Sequence, residues 1–134
     1  MNSYDVVVRF VANLGWCLEM LRSHFSSIDR AGATEPLKAR TAFGAAERSG
    51  HLEGLGAFQL HGVGCRVTLD SGEQIDFDWD EDGDATFDAW RLRKFAHSIG
   101  SEETSDADLL AACRQLAAAG LLVEREAGWY ALGS

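Results

Sequence analysis

The stretch Leu60–Phe95, LHGVGCRVTLDSGEQIDFDWDEDGDATFDAWRLRKF, decides the architecture. Val63, Cys65, Val67 and Leu69 alternate with Gly64, Arg66, Thr68 and Asp70, the two-residue period of a half-buried strand. Asp70-Ser71-Gly72-Glu73 supplies turn residues. Ile75, Phe77 and Trp79 then alternate with Asp76, Asp78 and Asp80. Side chains two apart share a face of a strand, so large apolar groups line one side and three carboxylates the other. An acidic loop follows. The spacing of Phe87, Trp90, Phe95 and Ile99 predicts an amphipathic helix over Phe87–Ile99, with Gly100 as its stop. The same stretch concentrates charge: no Lys or Arg lies between Arg66 and Arg91, where Asp70, Glu73, Asp76, Asp78, Asp80, Glu81, Asp82, Asp84 and Asp88 fall.

Toward the N-terminus, apolar residues at Val7, Phe10, Val11, Leu14, Cys17, Leu18, Leu21 and Phe25 repeat every three or four positions. They predict a helix over Tyr4–Phe25 with one buried stripe. Ser3 is its expected cap, and Asp5 suits the positive end of the helix dipole. Ser26–Ala33 is polar and small and reads as a connector, Glu35–Arg48 as a second, weakly packed helix, and His51–Gly56 as a glycine-rich loop. Toward the C-terminus, a helix is predicted to start near Ser105, carry Leu109, Leu110, Cys113 and Leu116 inward, and end at Gly120. LLVEREAGWYAL closes the chain as a hairpin turning at Ala127-Gly128. The expected fold is therefore α+β: four helices and two small antiparallel β-hairpins in one domain, residues 1–134. Its C-terminal helix–helix–hairpin looks like the tail of a winged-helix domain.

Composition narrows the function classes. At 46% hydrophobic and 25% charged residues, the chain has enough apolar surface for a core. Its net charge of −9 repels nucleic acid and anionic membranes, which are bound through clustered Lys and Arg. The winged-helix likeness does not change this, because the second helix of that unit carries Asp106, Asp108 and only Arg114. Cys17, Cys65 and Cys113 are far apart and odd in number, which fits reduced thiols in the cytoplasm rather than a disulfide framework. The start of the chain lacks the basic region of a signal peptide, and no apolar run reaches the ~18 residues of a spanning helix.

Four constellations carry the candidate chemistry. Asp78, Asp80, Asp82 and Gly83 match the opening of a calcium loop, and Asp84 and Asp88 extend the oxygen set. The match lapses at the twelfth position, where a bidentate Glu is needed and Ala89 stands. Calcium is thus the alternative to no cofactor. His61 and Cys65 invite a nucleophile-and-base reading, but four residues of extended strand span roughly 13 Å against the ~3 Å of a dyad. A carboxylate such as Asp76 is the expected holder of His61 and would raise its pKa. Arg91, Arg93 and Lys94 are placed to pair with the preceding acids, Asp88 with Arg91 at i, i+3. The exposed acids Asp76, Asp78, Asp80, Glu81, Asp82 and Asp84 form the candidate partner-binding face.

The residues also carry a resemblance. His61-Gly62-Val63-Gly64-Cys65-Arg66, Asp76-Phe77-Asp78 and Phe87-Asp88-Ala89-Trp90-Arg91-Leu92 resemble, in order and spacing, a small bacterial domain family of unknown function with HGxGC, acid-aromatic-acid and FDxWRL motifs. The resemblance implies a shared fold and a shared site at His61, Cys65, Asp76, Asp78, Asp88, Trp90 and Arg91, and implies no reaction. The further acids Asp80, Asp82 and Asp84 depart from that pattern. In size and charge the chain also resembles immunity proteins.

The leading expectation is a small acidic binding protein, monomer or homodimer, whose partner is a basic protein such as a nuclease-like toxin. The alternatives are an enzyme using His61 and Cys65 with nearby carboxylates, and a divalent-cation-binding module.

Overall fold

A computed structural model describes residues 2–30, 49–101 and 104–133. Helix α1, Ser3–Arg30, comes first. Among the described residues, seven strands and two further helices come after it: β1 Ser49–Leu52, β2 Gly56–His61, β3 Gly64–Leu69, β4 Gln74–Trp79, β5 Ala85–Phe87, α2 Ala89–Ser98, α3 Asp106–Ala118, β6 Leu122–Glu126 and β7 Trp129–Leu132. The class is α+β. All the described strands join one antiparallel sheet in the order β1-β2-β3-β4-β5-β7-β6.

The alternation expected for β3 and β4 holds, because each strand turns one set of side chains to the core. Cys65, Val67, Leu69, Ile75, Phe77 and Trp79 are all buried. Helix α1 packs its stripe across these strands, with Phe25 edge-on to Phe58 of β2 at 5.7 Å and Phe10 4.8 Å from Phe87 of β5. Arg9 and Asn13 of α1 both donate to the carboxylate of Glu73, at 2.8 and 2.7 Å, fastening the helix to the β3–β4 turn. Helix α2 packs on β4, and the Ser98 hydroxyl accepts from the Gln74 N–H at 3.0 Å where that strand begins.

Several expectations need correction. The two hairpins are parts of one seven-stranded sheet, because β5 bridges them: Thr86 pairs with Asp78 on one side and with Ala131 on the other. Phe87 ends that strand rather than starting α2, and Asp88 is the helix cap, accepting from the Arg91 N–H at 3.1 Å. A three-residue strand buried throughout shows no alternation, so its period merged with that of the helix behind it. The stretch read as the loop His51–Gly56 is a strand end, a turn and a strand start. Gly56 is needed there: its φ is +150°, and a Cβ would run into the Thr68 carbonyl. Helix α1 continues through the segment read as a connector to Arg30, and Asn2 rather than Ser3 caps it, accepting from the Asp5 N–H at 2.8 Å.

Three helices stand among the described residues, against four expected; the helix expected at Glu35–Arg48 lies outside them. Ser105 caps α3, and the last hairpin turns at Ala127-Gly128, both as expected. That hairpin is the edge of the common sheet, so the winged-helix likeness extends to element order alone. No helix among the described residues is long and apolar enough to cross a membrane.

Candidate functional site

The three ordered motifs converge. A pocket of about 250 Å³ opens between β3, β4 and the first turns of α2. Its walls include His61, Arg66, Asp76, Asp78, Trp90 and Lys94, with Arg91 beside them and Cys65 and Phe77 behind. Register explains the assembly. Arg66 lies opposite Asp76 and Gly64 opposite Asp78 across the β3–β4 ladder, while His61 faces Gly64 across the β2–β3 turn.

Asp76 is the buried charge of the site, at 7% exposure. A carboxylate in that position needs compensation. Arg66 Nε donates to its Oδ1 at 2.9 Å, Gln74 Nε2 donates to its Oδ2 at 2.9 Å, and Lys94 Nζ stands 3.8 Å from the same oxygen. Asp76 is therefore spent on Arg66, Gln74 and Lys94, and the imidazole of His61, its expected partner, stands exposed without a side-chain hydrogen bond among the described residues. Asp78 accepts from Arg91 Nη2 at 3.0 Å, and Asp88 accepts from Arg91 Nη1 at 3.0 Å. The Arg91 guanidinium also lies 4.7 Å from the Trp129 ring centre, and Lys94 Nζ 3.7 Å from that of Trp90. Trp90 itself is 50% exposed, a large apolar surface left at the mouth of a charged pocket.

Cys65 forms the floor of the pocket and has none of the marks of a nucleophile. It is 4% exposed, desolvation pushes its thiol far above the ordinary range, and the nearby Cys17 and Asp76 push the same way. No hydrogen bond joins it to His61. The structure brings the two into one pocket without making them a dyad.

The acidic loop lies on the other side of the β2–β3 turn. Asp80 Oδ1 accepts the N–H groups of Asp82 and Asp84, both at 2.9 Å, which closes the loop on itself. Ligand atoms of Asp80, Asp82 and Asp84 lie within 4.8 Å of one another, as a cation would require. Arg125 already brings a positive charge to them: Nη2 donates to Asp84 Oδ2 at 2.7 Å and Nη1 stands 4.0 Å from Asp80 Oδ2. Asp78 and Asp88, the outer members of the expected calcium set, turn instead to Arg91. Arg93 pairs with Asp106 at 3.2 Å, away from both sites.

Of the acids expected on one free face, Asp76 and Asp78 are thus matched by internal cations, Asp80 and Asp84 share Arg125, and Glu81 and Asp82 remain exposed and unpaired among the described residues. Together with Val63, Trp79, Arg125 and Glu126, residues Asp80, Glu81 and Asp82 line a groove of about 450 Å³. Arg125 and Glu126 escaped the sequence reading. They lie in a hairpin about forty positions further on, and no local pattern ties them to the loop.

Residues 4–131 match the family described as Domain of unknown function (DUF6896). No curated protein matches the chain, and no solved structure does.

Proposed function

The chain belongs to the DUF6896 family, and from that premise we propose that it is a binding protein of the immunity type, which masks a basic, nuclease-like toxin with an acidic groove. The observation that carries this reading is the charge balance of the groove at the β2–β3 turn. Asp80, Glu81, Asp82 and Glu126 line it against a single guanidinium, that of Arg125. Glu81, Asp82 and Glu126 are exposed, so a Lys or Arg of a partner can reach them. Val63, 39% exposed, adds an apolar contact inside the charged rim, the anatomy of a protein-recognition surface. The net charge of −9 extends the same field outward and speeds the encounter with a basic partner. Asp76 and Asp78 lie outside this groove, paired with Arg66, Lys94 and Arg91.

The catalytic alternative draws no support from a buried, protonated Cys65. The test is kinetic. Against purified basic nuclease toxins of the native host, the triple variant E81Q/D82N/E126Q should associate at least about tenfold more slowly than the wild type at low salt. The difference should shrink as salt rises. Equal association rates for a folded triple variant would refute the proposal.

A further inference from the structure

The pocket at His61, Arg66 and Lys94 lacks the acidic excess of the groove, because Asp76, Asp78 and Asp88 are each matched there by a cation. Arg66, Arg91 and Lys94 line it against two carboxylates, Asp76 and Asp78, in a chain whose net charge is −9. Hydrogen-bond accounting sharpens the contrast. Both oxygens of Asp76 are taken, and Asp78 already holds Arg91. Arg66 spends only Nε on Asp76, which leaves both of its Nη groups without an acceptor among the described residues. Lys94 makes one long contact, 3.8 Å to Asp76, and otherwise lies over the Trp90 ring. Arg66 and Lys94 flank the same buried carboxylate, one at each oxygen, and line the pocket together with exposed His61.

We propose that this pocket binds a small organic carboxylate, its charged end between Arg66 and Lys94 and its apolar stem against Trp90. A guanidinium fork matches a carboxylate in plane and spacing. Cys65 and Phe77 turn their side chains to the core, so half-exposed Trp90 is the apolar side chain of the wall, and it suits a short hydrocarbon or aromatic stem. The pocket, about 250 Å³ and open to solvent, has room for a molecule of that size. A phosphate dianion would meet more repulsion from the surrounding acids and would leave the apolar wall uncovered. The pocket is separate from the acidic groove, so the two proposals stand or fall independently.

Benzoate, acetate, phosphate and chloride at equal ionic strength are the probes, and the indole N–H of Trp90 in NMR titration is the readout. Benzoate should move that resonance saturably and more tightly than acetate, and chloride should not move it. The variant K94M should weaken benzoate at least fivefold. Because that change leaves buried Asp76 with less compensation, K94Q serves as a milder second variant and should show the same loss. The groove variant E81Q/D82N/E126Q should bind benzoate as the wild type does. No saturable movement of Trp90 with any carboxylate, equal movement with chloride, tighter binding of phosphate than of benzoate, or undiminished affinity in folded K94M or K94Q would each overturn the assignment.

Discussion

Arg91 on α2 and Asp78 on β4 stand thirteen positions apart and meet through Nη2 and Oδ1 at 3.0 Å. The same guanidinium holds Asp88, the cap of α2, so one side chain joins helix, cap and strand.

Removing that joint should be costly. Arg91→Met strands two carboxylates that are each about a quarter exposed. Full burial would put the loss at roughly 3–5 kcal/mol, and partial solvation lowers it to about 2 kcal/mol. Arg91→Lys should recover less than half, because one ammonium cannot reach both acids as a fork does. Urea denaturation of the two variants checks this, and a loss below about 0.5 kcal/mol for Arg91→Met would contradict it.

Phe10 is fully buried and touches two elements at once, Phe87 at 4.8 Å and Phe95 at 5.6 Å. Phe10→Ala should therefore cost about 3–5 kcal/mol by opening a cavity between α1, β5 and α2. Exposed Val8, on the same helix, should change stability by less than about 0.5 kcal/mol when replaced by Ala. Thermal melts of the pair separate the two cases.

At Gly56 a Cβ would collide with the Thr68 carbonyl and lie 2.8 Å from Leu69 Cα, so β2 and β3 must part to admit it. Gly56→Ala is expected to lose about 3 kcal/mol or more. At Gly54, φ is +84° but the space is open. Gly54→Ala should lose only about 1 kcal/mol. Near-equal losses from denaturation curves would show that conformation alone, and not the close approach, governs Gly56.

Desolvation pushes the Cys17 and Cys113 thiols from 9.0 up to about 12, and the Cys65 thiol up as well. The sign follows from linkage. A folded-state pKa above the unfolded one means that the folded chain holds its proton more tightly. The thiol contribution is then fully present below pH 9 and is lost as pH rises toward 12. Each thiol should remove about 1.4 kcal/mol of stability per pH unit in that window. Unfolding free energies measured from pH 8 upward should fall accordingly, and Cys17→Ala should flatten the slope. In the native state all three thiols should resist a disulfide reagent that titrates them rapidly in urea.

Much of the architecture was legible because it depends on short-range pattern. The alternation through Cys65, Val67, Leu69, Ile75, Phe77 and Trp79, the turn at Ser71-Gly72, and the caps and stripe of α3 each announce themselves within a few residues. The misreadings fell where a local signal was missing or shared. Phe87 fits a helical stripe and a buried strand equally well. The β1–β2 hairpin lies among glycines. At the site, the motif residues His61, Asp78, Trp90 and Arg91 could be grouped by the family resemblance, but the contacts among them could not be seen.

The order of residues by itself determined the α+β class, the β3–β4 hairpin and the two C-terminal helices, because backbone period, turns and caps act over a few positions. Tertiary structure alone decided which charge meets which. Arg66 and Lys94 close on Asp76, Arg91 on Asp78, and Arg125 reaches Asp84 from 41 positions away. Ion pairing follows distance in space, and that distance is set only when β5 joins the two hairpins into one sheet. What looks in sequence like one free acidic run is divided by the fold into a neutralised strand beside a charge-balanced pocket and a small exposed groove.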